Sequence, residues 1–329
     1  MISQKENYYT LIFDGDTSLF RFAKALQEDY IEVWWKDRMM ECKNLTYFKG
    51  GKINGQVIKG KLEEINENRK DPFLLEEFEI IPKSRLLKCD NDKKRLGLGK
   101  KWIREYISEL YAIPWVKEIK YCLSSETNFR KEVDPLYKST RGEKPILLKQ
   151  LRKEFIKEFK DIIEIHGGLE ADDLLSCYGY LSRNTFTNPK DTNIVLCGYD
   201  KDLLQIYNNF FYNFDKRDEG VIWIDEFTGQ KNLVVQCLCG DTVDAITGLP
   251  SVTEEMKEKY NIRMGGVGKG KAESILSNCD TVECLFREVE WCYRSYYGDG
   301  YKEALNREFR LVKLREHKDK MVDFPFMGE

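Results

Sequence analysis

Four groups of acidic residues recur along the chain, and each follows a segment apolar enough to form a buried strand. Carboxylates crowded into one sheltered place repel one another unless a cation lies between them. Their hard oxygen atoms favour Mg²⁺ or Mn²⁺, and two such ions can activate water and stabilise the leaving oxygen in phosphodiester hydrolysis. The eight carboxylates are those of Asp14, Glu170, Asp172, Asp173, Asp200, Asp202, Asp241 and Asp244.

Each acidic group taken alone has an ordinary explanation. The stretch GLEADDLL, residues 168–175, is typical of a helix start, where one carboxylate caps the helix and another gains from its dipole. Asp200 and Asp202 could belong to a plain loop, and Asp241 with Asp244 could cap a helix. It is much harder to explain by chance that all four acidic groups follow strand-like segments in one chain.

The elements that must position these residues alternate between strand and helix patterns. Strand signals cover residues 8–13, 118–123, 161–165, 193–197, 209–214 and 221–224, and helical patterns cover roughly 17–35 and 145–160. This alternation predicts an α/β fold with a mainly parallel central sheet flanked by helices. In such a sheet the carboxyl ends of the strands line one crevice, so the first three acidic groups should meet there, with the fourth folded over them.

Composition excludes several classes of protein. The 329 residues are 33% charged and 42% hydrophobic with a formal net charge of −3, which predicts a soluble globular protein without an overall basic surface. Ten cysteines without a CxxC pair, and only two histidines, argue against a zinc site and a secreted disulfide framework. We find no signal peptide, membrane-spanning run, nucleotide-binding glycine loop or nucleophile triad.

Several motifs, in order along residues 8–280, resemble those of the 5′-nuclease superfamily. They read LIFDGD, GLEADD, GYDKDLLQI, CGDTVDAITGLP and GVGKGKAESIL. The superfamily includes flap endonucleases, the 5′-nuclease domain of bacterial DNA polymerase I and bacteriophage 5′→3′ exonucleases, and FRKEVDPLYKSTRGEKP is most similar to the phage enzymes. The resemblance implies a PIN-like 5′-nuclease fold with a helical arch and a C-terminal helix-hairpin-helix region.

Matched position by position, the resemblance also implies roles for single residues. The eight carboxylates would bind two Mg²⁺ (or Mn²⁺) ions, while Lys138 and Arg141 would grip the scissile phosphate. Arg130 would add a phosphate contact, and a K⁺ ion could sit in the glycine hairpin. As alternatives, the three basic side chains are solvated loop cations and the glycines form a flexible turn. The expected DNA-binding residues of the hairpin are Gly266, Gly268, Lys269, Gly270 and Lys271.

The chain departs from the family pattern in three places. Ser125 stands where a further aspartate is usual, and Glu126 or a water molecule could fill the gap. About fifteen residues separate Gly248-Leu249-Pro250 from Gly266-Val267-Gly268, which normally follow one another directly. An insertion at about 36–101, interpreted as a hairpin with flexible parts, has no family counterpart that we recognise.

The expected organisation is an α/β nuclease core over residues 1–230, with the insertion at about 36–101 and an arch-like segment at about 126–160. A helical region with the helix-hairpin-helix would occupy residues 231–329. The expected function is a metal-dependent 5′→3′ exonuclease on duplex DNA ends, with flaps and the RNA–DNA hybrids of primers as further substrates. The resemblance suggests a monomeric phage protein of DNA replication in a bacterial cytoplasm.

Two other functions compete with this prediction. Ser125 motivates a catalytically weakened protein that binds DNA junctions without cutting them. A toxin-like RNase of the related PIN class ranks last, because the chain is far longer than such domains and the glycine hairpin favours DNA.

Overall fold

The computed structural model describes residues 9–87 and 91–327. Within that part the chain forms two compact units. The first comprises residues 9–18, 106–143 and 158–327, and the second comprises residues 19–105 and 144–157. Every residue of the candidate site considered below belongs to the first unit.

Strands and helices alternate along most of the chain. The strands are β1 (Tyr9–Asp14), β2 (Gln27–Trp35), β3 (Arg38–Cys42), β4 (Gly51–Ile53), β5 (Gln56–Ile58), β6 (Glu79–Leu86), β7 (Val116–Cys122), β8 (Ile163–Glu164), β9 (Ile194–Cys197), β10 (Asn209–Tyr212) and β11 (Val221–Ile224). The helices are α1 (Gly15–Ala25), α2 (Leu45–Lys49), α3 (Lys61–Asn66), α4 (Asp92–Tyr111), α5 (Arg130–Val133), α6 (Leu148–Glu158), α7 (Ala171–Thr185), α8 (Glu226–Cys239), α9 (Glu254–Tyr260), α10 (Lys269–Ile275), α11 (Val282–Tyr297) and α12 (Tyr301–Val312).

The first unit is built on a six-stranded sheet in the order β11-β10-β9-β1-β7-β8. Neighbouring strands are parallel from β10 to β8, and only β11 is antiparallel to its neighbour. The predicted α/β class with a mainly parallel sheet is confirmed, as are the six predicted strands. Tyr8, at the start of the first predicted strand, lies outside the described residues.

The chain runs from β1 to β7 and β8 on one side of the sheet, and then returns to β9 on the other side of β1. The strand order therefore reverses between β1 and β9. In open α/β sheets such a reversal leaves a crevice at the carboxyl ends of the two strands. Asp14 ends β1 and Asp200 follows β9, so both lie at this crevice.

Burial explains why these strands could be read from the sequence. All four residues of β9 are buried, as are five of the six residues of β1. Parallel strands are covered on both faces, so they form continuous apolar runs. Leu174 and Leu175 of α7 pack with Ile12 and Leu196 against one face of the sheet.

The C-terminal helices have an apolar core of their own. Buried side chains of α8, α11 and α12 meet there, among them Val234, Val289 and Phe309. The predicted helical arch and helix-hairpin-helix region remain predictions. No helix within residues 9–87 and 91–327 has the length and apolar character needed to cross a membrane.

In the second unit the predicted helix over 17–35 is wrong in its second half. Helix α1 ends at Ala25, and residues 27–35 form β2, which pairs antiparallel with β3 and β6. Ile31 and Val33 are buried, while Glu32 between them is partly exposed. This alternation has a period of two, which is typical of a strand. The aromatic side chains in the segment made its sequence resemble an amphipathic helix instead.

The segment 36–101 includes the predicted hairpin. Strands β4 and β5 pair antiparallel across Asn54-Gly55, and both turn residues have positive φ values of 49° and 81°. Such values are required by the tight turn that suits hairpin strands. The remainder of the segment contains β3, α2, α3, β6 and part of α4, and residues 88–90 lie outside the described residues.

Candidate active site

A small cleft at the carboxyl ends of the central strands gathers most of the predicted site residues. It offers about 40 Å³ of space accessible to water. Six of the eight predicted carboxylates line it together with both predicted catalytic cations. These residues are Glu170, Asp172, Asp200, Asp202, Asp241, Asp244, Lys138 and Arg141.

Asp14 adjoins this cluster from the end of β1 and is 4% exposed. The pKa of its carboxyl is raised to about 7. Burial is the largest cause, the charges of Asp16 and Asp200 add to it, and hydrogen bonds to the carboxylate offset part of the rise. The carboxylate accepts hydrogen bonds from Thr17 Oγ1 at 2.8 Å and from the backbone N–H of Asp16 at 3.1 Å. The hydrogen bonds to the Asp14 carboxylate thus come from neutral groups and none from a cation, which suits a metal ligand.

Asp16 is a residue of this cluster that the sequence prediction missed. Its carboxylate lies near Asp14, and its Oδ2 accepts the backbone N–H of Ser124 at 3.0 Å. The signal was present in the Asp-Gly-Asp sequence at the end of β1. A glycine between the two carboxylates lets the backbone turn sharply, and an added Cβ at Gly15 would collide with the Tyr121 ring.

The carboxylates form two linked groups that share Asp200. Burial raises the pKa of Asp172 well above its usual range, and the charges of Asp14 and Asp200 raise it further. Burial likewise raises the pKa of Asp202 to about 7, followed by the charge of Asp200 and smaller effects of Asp241 and Asp244. One group thus contains Asp14 and Asp172, the other Asp202 with Asp241 and Asp244, and Asp200 belongs to both.

Glu170 behaves differently because protein cations surround it. Burial opposes its charged form, but Arg130 and Lys138 outweigh burial and lower the pKa of Glu170 to about 2. Lys138 Nζ forms an ion pair with Glu170 Oε1. Tyr137, which the prediction missed, donates from its hydroxyl to Glu170 Oε2 at 2.8 Å and to Asp244 Oδ2 at 3.2 Å. Glu170 is therefore ionised and held in place at any physiological pH.

The segment 241–246 is a turn rather than the helix that would place Asp241 and Asp244 on one face. Asp241 and Ile246 pair through both backbone hydrogen bonds, and Ala245 has a φ of 58°. The turn nevertheless directs both aspartates into the cleft. Arg141 Nε donates to Asp244 Oδ1 at 2.8 Å, and Lys138 Nζ lies 3.8 Å from Asp244 Oδ2.

Asp173 corrects the expectation that all eight carboxylates bind metal. It is fully buried, and its two oxygens accept four hydrogen bonds, which is the full capacity of a carboxylate. Arg130 Nη1 and Nη2 donate to it at 2.8 Å each, the Glu170 N–H donates at 3.1 Å, and the Arg315 N–H donates at 3.0 Å. No acceptor position of Asp173 is left for an ion in this part of the structure.

Arg130 corrects the expectation of a direct DNA contact. Its side chain is 1% exposed, and all five of its N–H donors have acceptors. Besides Asp173 these are the Leu311 carbonyl at 2.8 Å from Nε, the Lys313 carbonyl at 3.3 Å from Nη2, and Glu170 Oε2 at 3.3 Å from Nη1. A DNA phosphate could reach Arg130 only if this network broke.

Ser125, at the place of the missing aspartate, ties two loops together. Its hydroxyl donates to the Thr127 carbonyl at 2.7 Å and accepts the N–H groups of Thr127 and Gly168 at 3.0 Å. Its own N–H donates to the Leu169 carbonyl at 2.8 Å. Ser125 thus supports the loop before α7 and is not directed into the cleft as a ligand.

The carboxylate oxygens of the cleft suit divalent cations, although several of these carboxylates form hydrogen bonds or ion pairs with other side chains. Among the residues that the structure describes, no three carboxylate, cysteine or histidine side chains converge closely enough to form a ready-made metal site. Lys138, Arg141 and Tyr137 engage Glu170 and Asp244, and the Gln236 amide engages Asp202. Burial and neighbouring carboxylates raise the pKa values of Asp14 and Asp172, and the charge of Lys138 offsets this only in part at Asp172. Hard divalent ions would supply the balancing positive charge.

The predicted DNA-binding hairpin lies apart from these carboxylates in sequence, between α9 and α10. Gly266, Gly268, Lys269 and Gly270 are exposed, as a contact with DNA requires. Lys271 corrects the expectation, because its ammonium donates to three backbone carbonyls of residues 264–266. These carbonyls occupy all three N–H groups of the ammonium, so no donor is left for a phosphate.

The raised carboxyl pKa values predict how stability depends on pH and metal. The pKa of Asp14 and Asp202 is about 7 in the folded protein against 3.8 ordinarily, so between these values the folded state binds more protons than the unfolded state. The free energy of unfolding of the metal-free protein should therefore fall as pH rises from about 4 to about 7. Mg²⁺ needs ionised ligands, so its stabilisation should be larger at about pH 8 than at about pH 5.

Thermal unfolding in EDTA and in Mg²⁺ across this pH range measures both effects. An equal gain in Tm from Mg²⁺ at the two ends of the range would contradict the prediction, as would metal-free stability that rises with pH.

Comparison with known proteins finds nucleases among the similar structures. A bacteriophage T5 protein crystallised with metal ions is 14% identical, with a TM-score of 0.35 over 66% of this chain and 93% of that chain. The T5 5′-exonuclease with bound zinc is 14% identical (TM-score 0.34; 65% and 90% of the two chains). A T5 flap endonuclease in a pseudo-enzyme–product complex with DNA and metal ions is 13% identical (TM-score 0.34; 67% and 90%).

The chain is similar to phage 5′-nucleases. DNA polymerase I of Rhizobium leguminosarum is 28% identical in an alignment of 138 residues that covers 39% of this chain. The match spans only 13% of the length of that polymerase. No protein-family profile matches the chain.

Proposed function

We propose that the chain is a metal-dependent 5′-nuclease that hydrolyses phosphodiester bonds at the 5′ ends of DNA. The observation that carries the proposal is the cleft in which six carboxylates from three separate segments, 170–172, 200–202 and 241–244, meet Lys138 and Arg141. Structural acidic helix starts or caps would not bring these segments together around unneutralised charge. Duplex ends, flaps and the RNA primers of RNA–DNA hybrids are the proposed substrates, and DNA replication is the proposed process.

Two divalent ions, Mg²⁺ or Mn²⁺, fit the two linked groups of carboxylates. Asp14 and Asp172 with Glu170 would hold one ion, and Asp202 with Asp241 and Asp244 the other. Asp200 belongs to both groups and could contribute to either site. When bound, such ions activate a water molecule and stabilise the leaving oxygen.

The protein's own cations would act on the phosphate. Lys138 and Arg141 form ion pairs with Glu170 and Asp244 beside the cleft, which places both cations where a phosphate would enter. Lys138 then offers a point charge and Arg141 a planar fork to the phosphate oxygens, whose negative charge grows in the transition state. Tyr137 keeps Glu170 and Asp244 oriented, and burial holds its pKa above its usual range so that its hydroxyl stays a donor.

The proposed specificity for 5′ ends rests on similarity to other proteins and not on the geometry of the cleft. The motifs resemble 5′→3′ exonucleases, and the similar T5 structures are described as a 5′-exonuclease and a flap endonuclease, one of them with DNA and metal ions. Exonuclease or flap activity is therefore proposed from these relatives, and action on RNA–DNA hybrids is proposed from the motif resemblance. A monomer is proposed as well.

Digestion of a duplex labelled at either its 5′ or its 3′ end tests the reaction and its polarity. We expect early release of the 5′ label in Mg²⁺ or Mn²⁺ and none in EDTA, with an Asp200→Asn preparation as the control for contaminating nuclease. Early release of the 3′ label would overturn the polarity. A duplex and a flap that both stay intact in every metal would overturn the nuclease function.

The contacts of Ser125 favour a second candidate function, which is a protein that binds DNA junctions with weak or no cleavage. Its hydroxyl is engaged in loop contacts, so the cleft lacks a carboxylate at this position. Asp16 supplies a nearby carboxylate, which favours the nuclease. Tight binding of a flapped junction with no cleavage in Mg²⁺ or Mn²⁺ would establish the binding protein, and rapid cleavage would exclude it.

A further inference from the structure

The ammonium of Lys271 lies in a cage of backbone carbonyls. Its Nζ donates to the carbonyl oxygens of Met264 at 3.1 Å, Gly265 at 3.2 Å and Gly266 at 2.9 Å. Three successive carbonyls that converge on one point form a cation site, and rings of backbone carbonyls are how proteins strip and bind K⁺. An ammonium group has the charge for the same site and fills it with three directed N–H groups.

The backbone of this turn, residues 264–268, is shaped so that the carbonyls can converge. Gly265 has a φ of 98°, a conformation that side chains other than glycine rarely adopt. The Gly265 carbonyl also accepts the Val252 N–H at 3.1 Å, which pins the turn to residues before α9. Carbonyl dipoles that point toward one place favour a positive charge there, so a cation would stabilise this turn.

The position of Lys271 in α10 gives a reason for these carbonyl contacts. The residue lies in the first helical turn, where the helix dipole disfavours a cation, and that turn contains no acidic residue to offset it. The carbonyl contacts supply the missing compensation. Lys269, two residues earlier on the same helix, instead points to an exposed ion pair with Glu273 at 3.8 Å.

We infer that Lys271 serves as a built-in cation of the glycine turn, in place of the K⁺ ion that the sequence resemblance suggests. The turn would then hold its shape without a monovalent ion. The consequence for DNA binding rests on the proposed function: affinity for DNA should not depend on K⁺, and removing the Lys271 ammonium should create such a dependence.

The test compares wild type with Lys271→Met, which keeps the length of the side chain but removes its charge, in KCl and in choline chloride at equal ionic strength. Thermal unfolding without DNA is the first readout. We expect the Tm of wild type to be the same in both salts. The variant should lose about 3 °C in choline and recover in KCl, because K⁺ enters the vacated carbonyl cage.

Fluorescence anisotropy with a labelled DNA duplex in EDTA is the second readout. Lys271→Met should bind about tenfold more weakly than wild type in choline and regain most of that loss in KCl. Lys269→Met removes the same charge from the same helix without touching the cage. Its affinity should fall equally in both salts.

A K⁺-specific gain in wild-type Tm, or a Lys271→Met variant that is indifferent to K⁺, would overturn the inference. If the variant does not fold, the wild-type comparison of the two salts still decides, because a turn that needs K⁺ would be stabilised by it. Absence of DNA binding in every salt, with the Tm pattern intact, would count against the proposed function alone.

Discussion

Asp200→Asn should lower the rate of DNA cleavage by at least about a thousandfold, because Asp200 is the carboxylate shared by the two proposed ion sites. The substitution should leave the fold intact. Asp200 caps the short 3₁₀ turn Lys201–Gln205 by accepting the Asp202 N–H at 3.0 Å, and an asparagine oxygen can accept the same hydrogen bond. The loss should therefore come from lost negative charge.

Two measurements separate this loss from damage to the fold. Isothermal titration with Mn²⁺ should show weaker binding for Asp200→Asn, while thermal unfolding in EDTA should be close to that of wild type. Asp299→Asn makes the same chemical change at an exposed position in the turn between α11 and α12 and should behave as wild type. Full cleavage by Asp200→Asn would remove the basis of the two-ion proposal.

Asp173→Ala should reduce the free energy of unfolding by about 3–5 kcal/mol, although its neighbour Asp172 lines the cleft and Asp173 does not. The alanine leaves the fully buried Arg130 with Glu170 Oε2, at 3.3 Å, as its remaining carboxylate partner, and it removes the acceptor for the Glu170 and Arg315 N–H groups. Depriving a buried charge of its main partner is among the most destabilising changes that one substitution can make. Urea unfolding of the metal-free protein measures the loss.

A double variant identifies the cause. Adding Arg130→Met to Asp173→Ala removes the buried positive charge that has lost its main partner, so the double variant should recover part of the lost stability. A double-mutant cycle gives the coupling free energy between the two residues. Its affinity for Mn²⁺ should stay close to that of wild type, whereas Asp172→Asn should lose affinity with little change in stability. If the double variant loses Mn²⁺ binding as Asp172→Asn does, Asp173 acts as a metal ligand after all.

The sequence predicted the sheet and the crevice well because their signals are local. Apolar runs such as residues 194–197 mark buried parallel strands, and acidic residues after them mark their carboxyl ends. The helix predicted across residues 27–35 failed because strand pairing with β6, fifty residues later, decides that segment. A local pattern could not contain that information.

Within the site, sequence could name the acidic groups but not assign each member. Asp172 and Asp173 are adjacent and chemically identical, and a helix turns their side chains about 100° apart, one into the cleft and one toward Arg130. Which direction meets which partner depends on Leu311–Arg315, some 140 residues away. Lys271 illustrates the same limit, because its acceptors are backbone carbonyls that no residue type reveals.

The segment 311–315 has a consequence for how the protein is made. Arg130, Asp173 and Gln205 fasten its backbone, and Leu311 and Leu314 line the cleft. Proteins are synthesised at about 5–20 residues per second, and their N-terminal parts begin to fold first. A nascent chain on the ribosome can thus form the central strands, yet it lacks one wall of the cleft until residue 315 has emerged. The proposed nuclease activity would therefore begin only after this segment has emerged, so a nascent chain that has formed its central strands alone would not cut nucleic acids near the ribosome.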